Sequence, residues 1–197
     1  MTFLLGLTGS IGMGKSTTAQ IFADEGCAVW DADAAVHRLY TQDGAAVQPM
    51  RAAFPEAVAD GGVSRDRLKK IIERDDTALK QIEQIIHPLV AQNRADFIAQ
   101  STRDIVVLDI PLLFETGGDS AMDAVACVTV SPEEQKKRVL ARETMTPEQF
   151  ARIRDKQMPN EKKCRRADYV IETDTLEHAR RQVQDIVQQI NNRLSHA

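Results

Sequence analysis

Cysteine is scarce in this chain of 197 residues, and the three present are Cys27, Cys127 and Cys164. An odd number without metal-ligand spacing opposes both a disulfide framework and a thiolate zinc site. Two of them lie in apolar runs, so buried free thiols in a reducing cytoplasm are expected. Only seven prolines occur and no Gly/Ser-rich tract interrupts the chain, which excludes a long flexible linker. No stretch approaches the roughly 20 apolar residues that span a bilayer. A strand-like run beginning at Phe3 leaves no room for a basic leader and apolar signal segment. A cytoplasmic protein without a membrane partner is therefore expected.

Basic charge is also in deficit, with a net of −4. An acidic body argues against a nucleic-acid partner, whose backbone phosphates need many cations. The distribution is uneven: residues 133–166 hold 11 Lys/Arg against 6 Asp/Glu, leaving −9 on the rest. Such a segment suits a small polyanion, although a solvated helical face explains the same letters. The apolar fraction of 43% and charged fraction of 27% are those of an ordinary globular chain, long enough for one good core with a small appended subdomain.

Strand candidates are Phe3–Leu7, Cys27–Asp31, Ile105–Ile110, Ala124–Val130 and Asp168–Ile171. They are continuous apolar runs separated by helical patterns, which predicts a parallel sheet covered on both faces. A helix is expected from Lys15 to Glu25, ended by Gly26. Leu68, Ile71, Ile72, Leu79, Ile82, Ile85, Ile86 and Leu89 recur at helical steps, with Pro88 expected to kink or divide that region. The roughly 70 residues between the second and third strands exceed what a crossover needs, so they read as an inserted helical subdomain.

The sequence from Gly9 to Ser16, GSIGMGKS, fits G-x-x-x-x-G-K-[ST] at every fixed position, with an apolar strand before it and a helix after. The spacing builds a loop that wraps an anion. Glycines adopt backbone angles closed to other residues, and successive amides converge on phosphate oxygens. The following helix adds unpaired amides and the positive end of its dipole. The expected nucleotide contacts are Gly9, Ser10, Ile11, Gly12, Met13, Gly14, Lys15, Ser16 and Thr17. Lys15 reaches the β- and γ-phosphates of ATP, and Ser16 offers its hydroxyl to Mg²⁺.

A guanine-reading N-K-x-D is missing, since Asn160-Glu161-Lys162-Lys163 lacks both the second-position lysine and the final aspartate. What remains is a small-molecule kinase, which needs three further parts. An acceptor-side carboxylate is available in Asp31 or Asp33, directly after the second strand. Spacing alone does not separate them, and either could instead cap the next helix. Asp109 ends the strand IVVLD and is expected to be paired or metal-associated, because burying an isolated carboxylate is costly. Glu115 faces either the metal region or the acceptor, with Leu112 as a wall. A basic cover is expected around Arg138 and Arg142, four apart on one helical face, where arginine's planar fork grips phosphoryl oxygens. Competing readings are a kinase for a nucleoside or nucleoside monophosphate and a nucleotide-responsive switch without transfer.

With those residues in hand, the chain resembles the dephospho-coenzyme A kinase family. The matching stretches are GLTGSIGMGKST (Gly6–Thr17), DADAAVHRLY (Asp31–Tyr40), IIHPLV (Ile85–Val90), VVLDIPLLFE (Val106–Glu115), QKKRVLARE (Gln135–Glu143), RIRDKQMPNEKK (Arg152–Lys163) and ADYVI (Ala167–Ile171). The resemblance covers essentially the whole chain in order. It implies an α/β, three-layer P-loop kinase fold with a five-stranded parallel sheet, an inserted helical acceptor-binding domain and a helical lid. The expected division is core 1–31, 100–132 and 167–197, acceptor-binding subdomain 32–99 and lid 133–166. The implied reaction is ATP-dependent phosphorylation of the ribose 3′-hydroxyl of dephospho-CoA, with Mg²⁺, by a protein expected to be monomeric. It also implies that Asp33 is the base, that Arg142 is the lid arginine, and that His87 belongs to the acceptor region. Two departures are the lid string RETMT, which starts at Arg142 and in which many relatives carry a proline and glycine after the arginine, and Asp174 where asparagine is common.

Overall fold

The structure is a computed structural model that describes residues 2–141 and 145–196. It divides into two compact units, Met1–Trp30 with Ser101–Ala197, and Asp31–Gln100.

The first unit is built on parallel strands β1 (Phe3–Thr8), β2 (Ala28–Asp31), β5 (Ile105–Asp109), β6 (Ala124–Thr129) and β7 (Tyr169–Glu172), in the order β2-β5-β1-β6-β7. Alternate side chains serve opposite faces. Leu5, Leu7, Ile105, Val107, Ala124, Ala126 and Val128 join Phe22 of helix α1 (Lys15–Asp24) and Val183, Ile186 and Ile190 of helix α9 (Leu176–Ser195) in the main core. On the other side Val125 packs with Leu113, Phe114 and Met158. Both faces are thus covered, which is why β5 is buried at all five positions and its sequence does not alternate. The strands lie within a residue or so of those expected. Helices α6 (Pro132–Leu140), α7 (Pro147–Lys156) and α8 (Asn160–Arg166) follow β6. Ser131 caps α6 through Glu134 N–H, and Thr146 with Gln149 forms a reciprocal capping box on α7.

The second unit holds α2 (Ala32–Tyr40), α3 (Val47–Ala53), α4 (Arg65–Arg74) and α5 (Ala78–Gln100), around a core of Leu39, Val47, Met50, Phe54, Leu68, Ile71, Ile82 and Ile86. Between α3 and α4 a two-stranded hairpin, β3 (Val58–Ala59) and β4 (Gly62–Val63), was not anticipated. Its turn residues Asp60 (φ 50°) and Gly61 (φ 80°) are both left-handed, the geometry that Asp-Gly favours in tight hairpins. Of the kink or division expected at Pro88, division does not occur, since α5 runs unbroken through it for 23 residues. Proline removes one backbone donor, and burial of Ile82 and Ile86 holds the preceding turn in place. No described helix is long and apolar enough to cross a membrane.

Candidate active site

Between β1 and α1 the chain turns through the glycine loop. Gly12 (φ 78°) and Gly14 (φ 86°) occupy the left-handed region. A Cβ on Gly12 would sit 2.4 Å from Val139 Cγ2, and one on Gly14 would sit 2.9 Å from Thr173 Oγ1. Backbone angle and space therefore demand glycine at both. The early part of the loop is held from outside. Ser10 N–H donates to Asn160 Oδ1 at 3.0 Å, and Ile11 N–H donates to Gln157 Oε1 at 3.3 Å. Gln135 Nε2 donates to Ile11 O at 2.7 Å, and Thr173 Oγ1 donates to Met13 O at 2.8 Å. These partners take up the backbone N–H of Ser10 and the backbone N–H and C=O of Ile11. At the start of α1, among the described residues, the amides of Gly14, Lys15 and Ser16 have no protein acceptor, as the first turn of a helix requires. The hydroxyl-bearing Ser16 and Thr17 are exposed beside them.

Lys15 Nζ forms an ion pair with Asp109 Oδ1, joining residues far apart in sequence. The parallel register sets Leu7 opposite Asp109, which brings the end of β5 to the loop. Asp109 is only 1% exposed, and an unpaired carboxylate there would carry a large desolvation cost. The pairing expected for Asp109 is therefore present, with lysine as its partner.

Glu115 and Lys163 make a second inward ion pair. Lys163 is fully buried, its Nζ 2.9 Å from Glu115 Oε1 and donating to Pro111 O at 3.0 Å. Met158 N–H donates to the same carboxylate at 3.0 Å. Burial alone would raise the Glu115 carboxyl, but the bonds from Lys163 and Met158 outweigh it and hold it below its ordinary value. Leu112, in the same segment, is 43% exposed. Arg138 donates to Thr173 Oγ1 at 3.1 Å and Thr173 O at 2.7 Å, while pairing with Glu134. Its expected partner Arg142 lies outside the described residues. A cavity of about 420 Å³ opens beside the loop, lined by Gly14, Thr17, Thr18, Arg138, Thr173 and Leu176.

In the second unit the two aspartates take different tasks. Asp31 accepts from Ala34 N–H at 2.9 Å and caps α2. Asp33 lies in the first turn of α2, exposed. Among the described residues no hydrogen bond or ion pair engages its carboxylate. The capping explanation thus attaches to Asp31 alone. His87 is exposed on α5, neither packed in the core nor at a helix end.

Gln135, Gln157, Asn160 and Thr173 were not singled out from the sequence. Each holds the loop through a contact made across a long stretch of chain, and no local spacing marks such a residue. The Gln157–Asn160 string QMPN gave one hint, carboxamides clustered at the start of a short helix.

A strand, a glycine loop and a helix on a five-stranded parallel sheet, with a lysine paired to the carboxylate ending the neighbouring strand, define a P-loop kinase fold. A model of the dephospho-CoA kinase family matches residues 3–178, and the chain belongs to that family. A dephospho-CoA kinase of Ruegeria pomeroyi is 71% identical to it over the full length of both chains. TT1252 from Thermus thermophilus, known from its crystal structure, is 31% identical with a TM-score of 0.85, covering 95% of this chain and 97% of its own. The dephospho-CoA kinase from Campylobacter jejuni has the same fold, with a TM-score of 0.70 at 24% identity and coverage of 96% and 98%.

Proposed function

We propose that this protein transfers the γ-phosphoryl group of ATP to the ribose 3′-hydroxyl of dephospho-CoA, giving CoA and ADP. The observation that carries the proposal is the glycine loop whose Gly14, Lys15 and Ser16 amides have no protein acceptor among the described residues, with Lys15 held by Asp109, in a chain of this family. Phosphoryl transfer needs positioning and charge stabilisation more than covalent help. The amides of Gly14, Lys15 and Ser16 bind the polyphosphate, with Gly9–Thr17 as the enclosing loop. The Lys15 ammonium meets the charge that grows on the transferring group. The 420 Å³ cavity beside Gly14 and Thr17 takes the nucleobase.

Ser16 and Asp109 are hard oxygen donors of the kind Mg²⁺ takes. Among the described residues no cluster of three His, Cys, Asp or Glu could hold a metal alone, so the ion would draw its other ligands from phosphate and water. When bound it neutralises charge on the β- and γ-phosphates. Asp33, whose carboxylate is engaged by no partner among the described residues, orients the acceptor hydroxyl and receives its proton. His87 and Leu112 contribute to acceptor binding. Glu115, committed to Lys163 and Met158, steadies the segment that carries Leu112. Residues 32–99 serve the acceptor, 133–166 with Arg142 form the lid, and 1–31, 100–132 and 167–197 form the core.

The test is ADP release from Mg²⁺–ATP with dephospho-CoA, a nucleoside, a nucleoside monophosphate or no acceptor. Dephospho-CoA should accelerate release, with the new phosphate on the 3′-oxygen by phosphorus NMR. Release no faster than without acceptor would refute the assignment.

A further inference from the structure

Beside the phosphate loop lies a pair of thiols for which phosphoryl transfer has no use. Cys127 is buried in β6, between Thr8 of β1 and Val170 of β7 in the sheet register. Cys164 is half-buried on α8. Their sulfurs are 3.6 Å apart, and a disulfide needs about 2.05 Å, so a modest approach of a helix side chain closes the gap. Asn160 bridges the pair to the loop. Its Nδ2 lies 3.6 Å from Cys164 Sγ and donates to Val128 O at 3.1 Å. Its Oδ1 lies 4.0 Å from Cys127 Sγ and accepts Ser10 N–H at 3.0 Å. Thr8, paired with Cys127, is the last strand residue before the loop.

We propose that Cys127 and Cys164 are a modification site, a dithiol that a low-molecular-weight disulfide converts to an intramolecular disulfide, with Asn160 carrying the change to the phosphate loop.

The two thiols are chemically unequal. A hydrogen bond from the Cys127 thiol, with help from the Thr129 hydroxyl, holds Cys164 below its ordinary value against the effect of burial. The same bond and burial push Cys127 far up. Thiolate is the nucleophile, so Cys164 reacts first. Access is also on its side: Cys164 is half-buried, whereas Cys127 is buried. The Cys164 thiolate attacks one sulfur of R–S–S–R, forming a Cys164 mixed disulfide and expelling RS⁻. That thiolate is protonated by the proton Cys164 gave up. Cys127 then attacks Cys164 Sγ, and the second RS⁻ leaves with the Cys127 proton. Two protein thiols are oxidised, and one small disulfide is reduced to two thiols. Closing the bond shifts Cys164 away from Asn160 Nδ2 and pins α8 to β6, which disturbs the carboxamide that holds Ser10. Cys27 is an internal control, because burial pushes its thiol up to about 11.

Native full-length protein treated with hydroxyethyl disulfide, then alkylated and peptide-mapped, should lose the mass of two hydrogens. The Cys127 and Cys164 peptides should be joined and Cys27 alkylated. In Cys127→Ser the reaction should stop at an adduct on Cys164, and Cys164→Ser should react at least about tenfold more slowly. Calorimetry of the oxidised wild type should give a Kd for Mg²⁺–ATP at least about fivefold weaker, restored by dithiothreitol. Absence of the joined peptides in wild-type protein, which depends on no variant folding, overturns the proposal. An oxidised protein with unchanged ATP affinity overturns the link to the loop.

Discussion

Two aspartates two residues apart separate by their hydrogen bonds. Asp31 caps α2, whereas the Asp33 carboxylate is engaged by nothing among the described residues. Asp31→Ala should therefore cost about 1 kcal/mol of stability, read as a lower urea midpoint. Asp33→Asn should leave that midpoint in place and reduce kcat at least about a hundredfold, with little change in ATP affinity. Undiminished turnover in folded Asp33→Asn would remove its role on the acceptor hydroxyl. Lys15 faces a different test, because its ammonium is paired with a buried carboxylate. Lys15→Ala should lower turnover at least about a hundredfold, and a thermal melt should accompany the assay, since Asp109 loses its partner. Normal turnover would exclude the loop as the phosphate site.

At the scale of elements, the segment after β5 and helix α8 are joined by Lys163 and Glu115. Lys163 has no exposure, and stripping a buried charge of its partner costs about 3–5 kcal/mol. Glu115→Gln should thus be strongly destabilised at neutral pH. The Glu115 carboxyl is held below its ordinary 4.5 in the folded state, so its contribution is present above that value and is lost as pH falls through the depressed one. The gap between wild type and Glu115→Gln should be full at pH 7 and shrink in acid. Urea denaturation across pH measures it, and a gap that stays constant would mean the pair does not govern this junction.

For the whole molecule, a nucleotide that binds the loop acts on one unit directly. Its ligand contacts are proposed in Met1–Trp30 with Ser101–Ala197, whose core joins β1, β5, β6, α1 and α9. At a hundred times its Kd, Mg²⁺–ATP should add about 2.7 kcal/mol to stability. Hydrogen exchange should show the added protection in β1 and α1. Protection confined to Asp31–Gln100 would contradict the nucleotide site proposed here.

Local patterns in the chain were enough to announce the strand–loop–helix of Gly9–Ser16, the buried parallel strands and the apolar faces of α4 and α5. These depend on neighbours in sequence, on periodicity and on the need of glycine at tight turns. The Asp60-Gly61 turn was equally local, and its dipeptide is a hairpin signal. What only the folded chain decided was which distant side chains meet: Lys15 with Asp109, Lys163 with Glu115, and Asn160 with Ser10 and the two thiols. Each of those meetings depends on strand order, register and helix placement, and the cost of burying an unpaired polar group makes them specific once the fold brings them together.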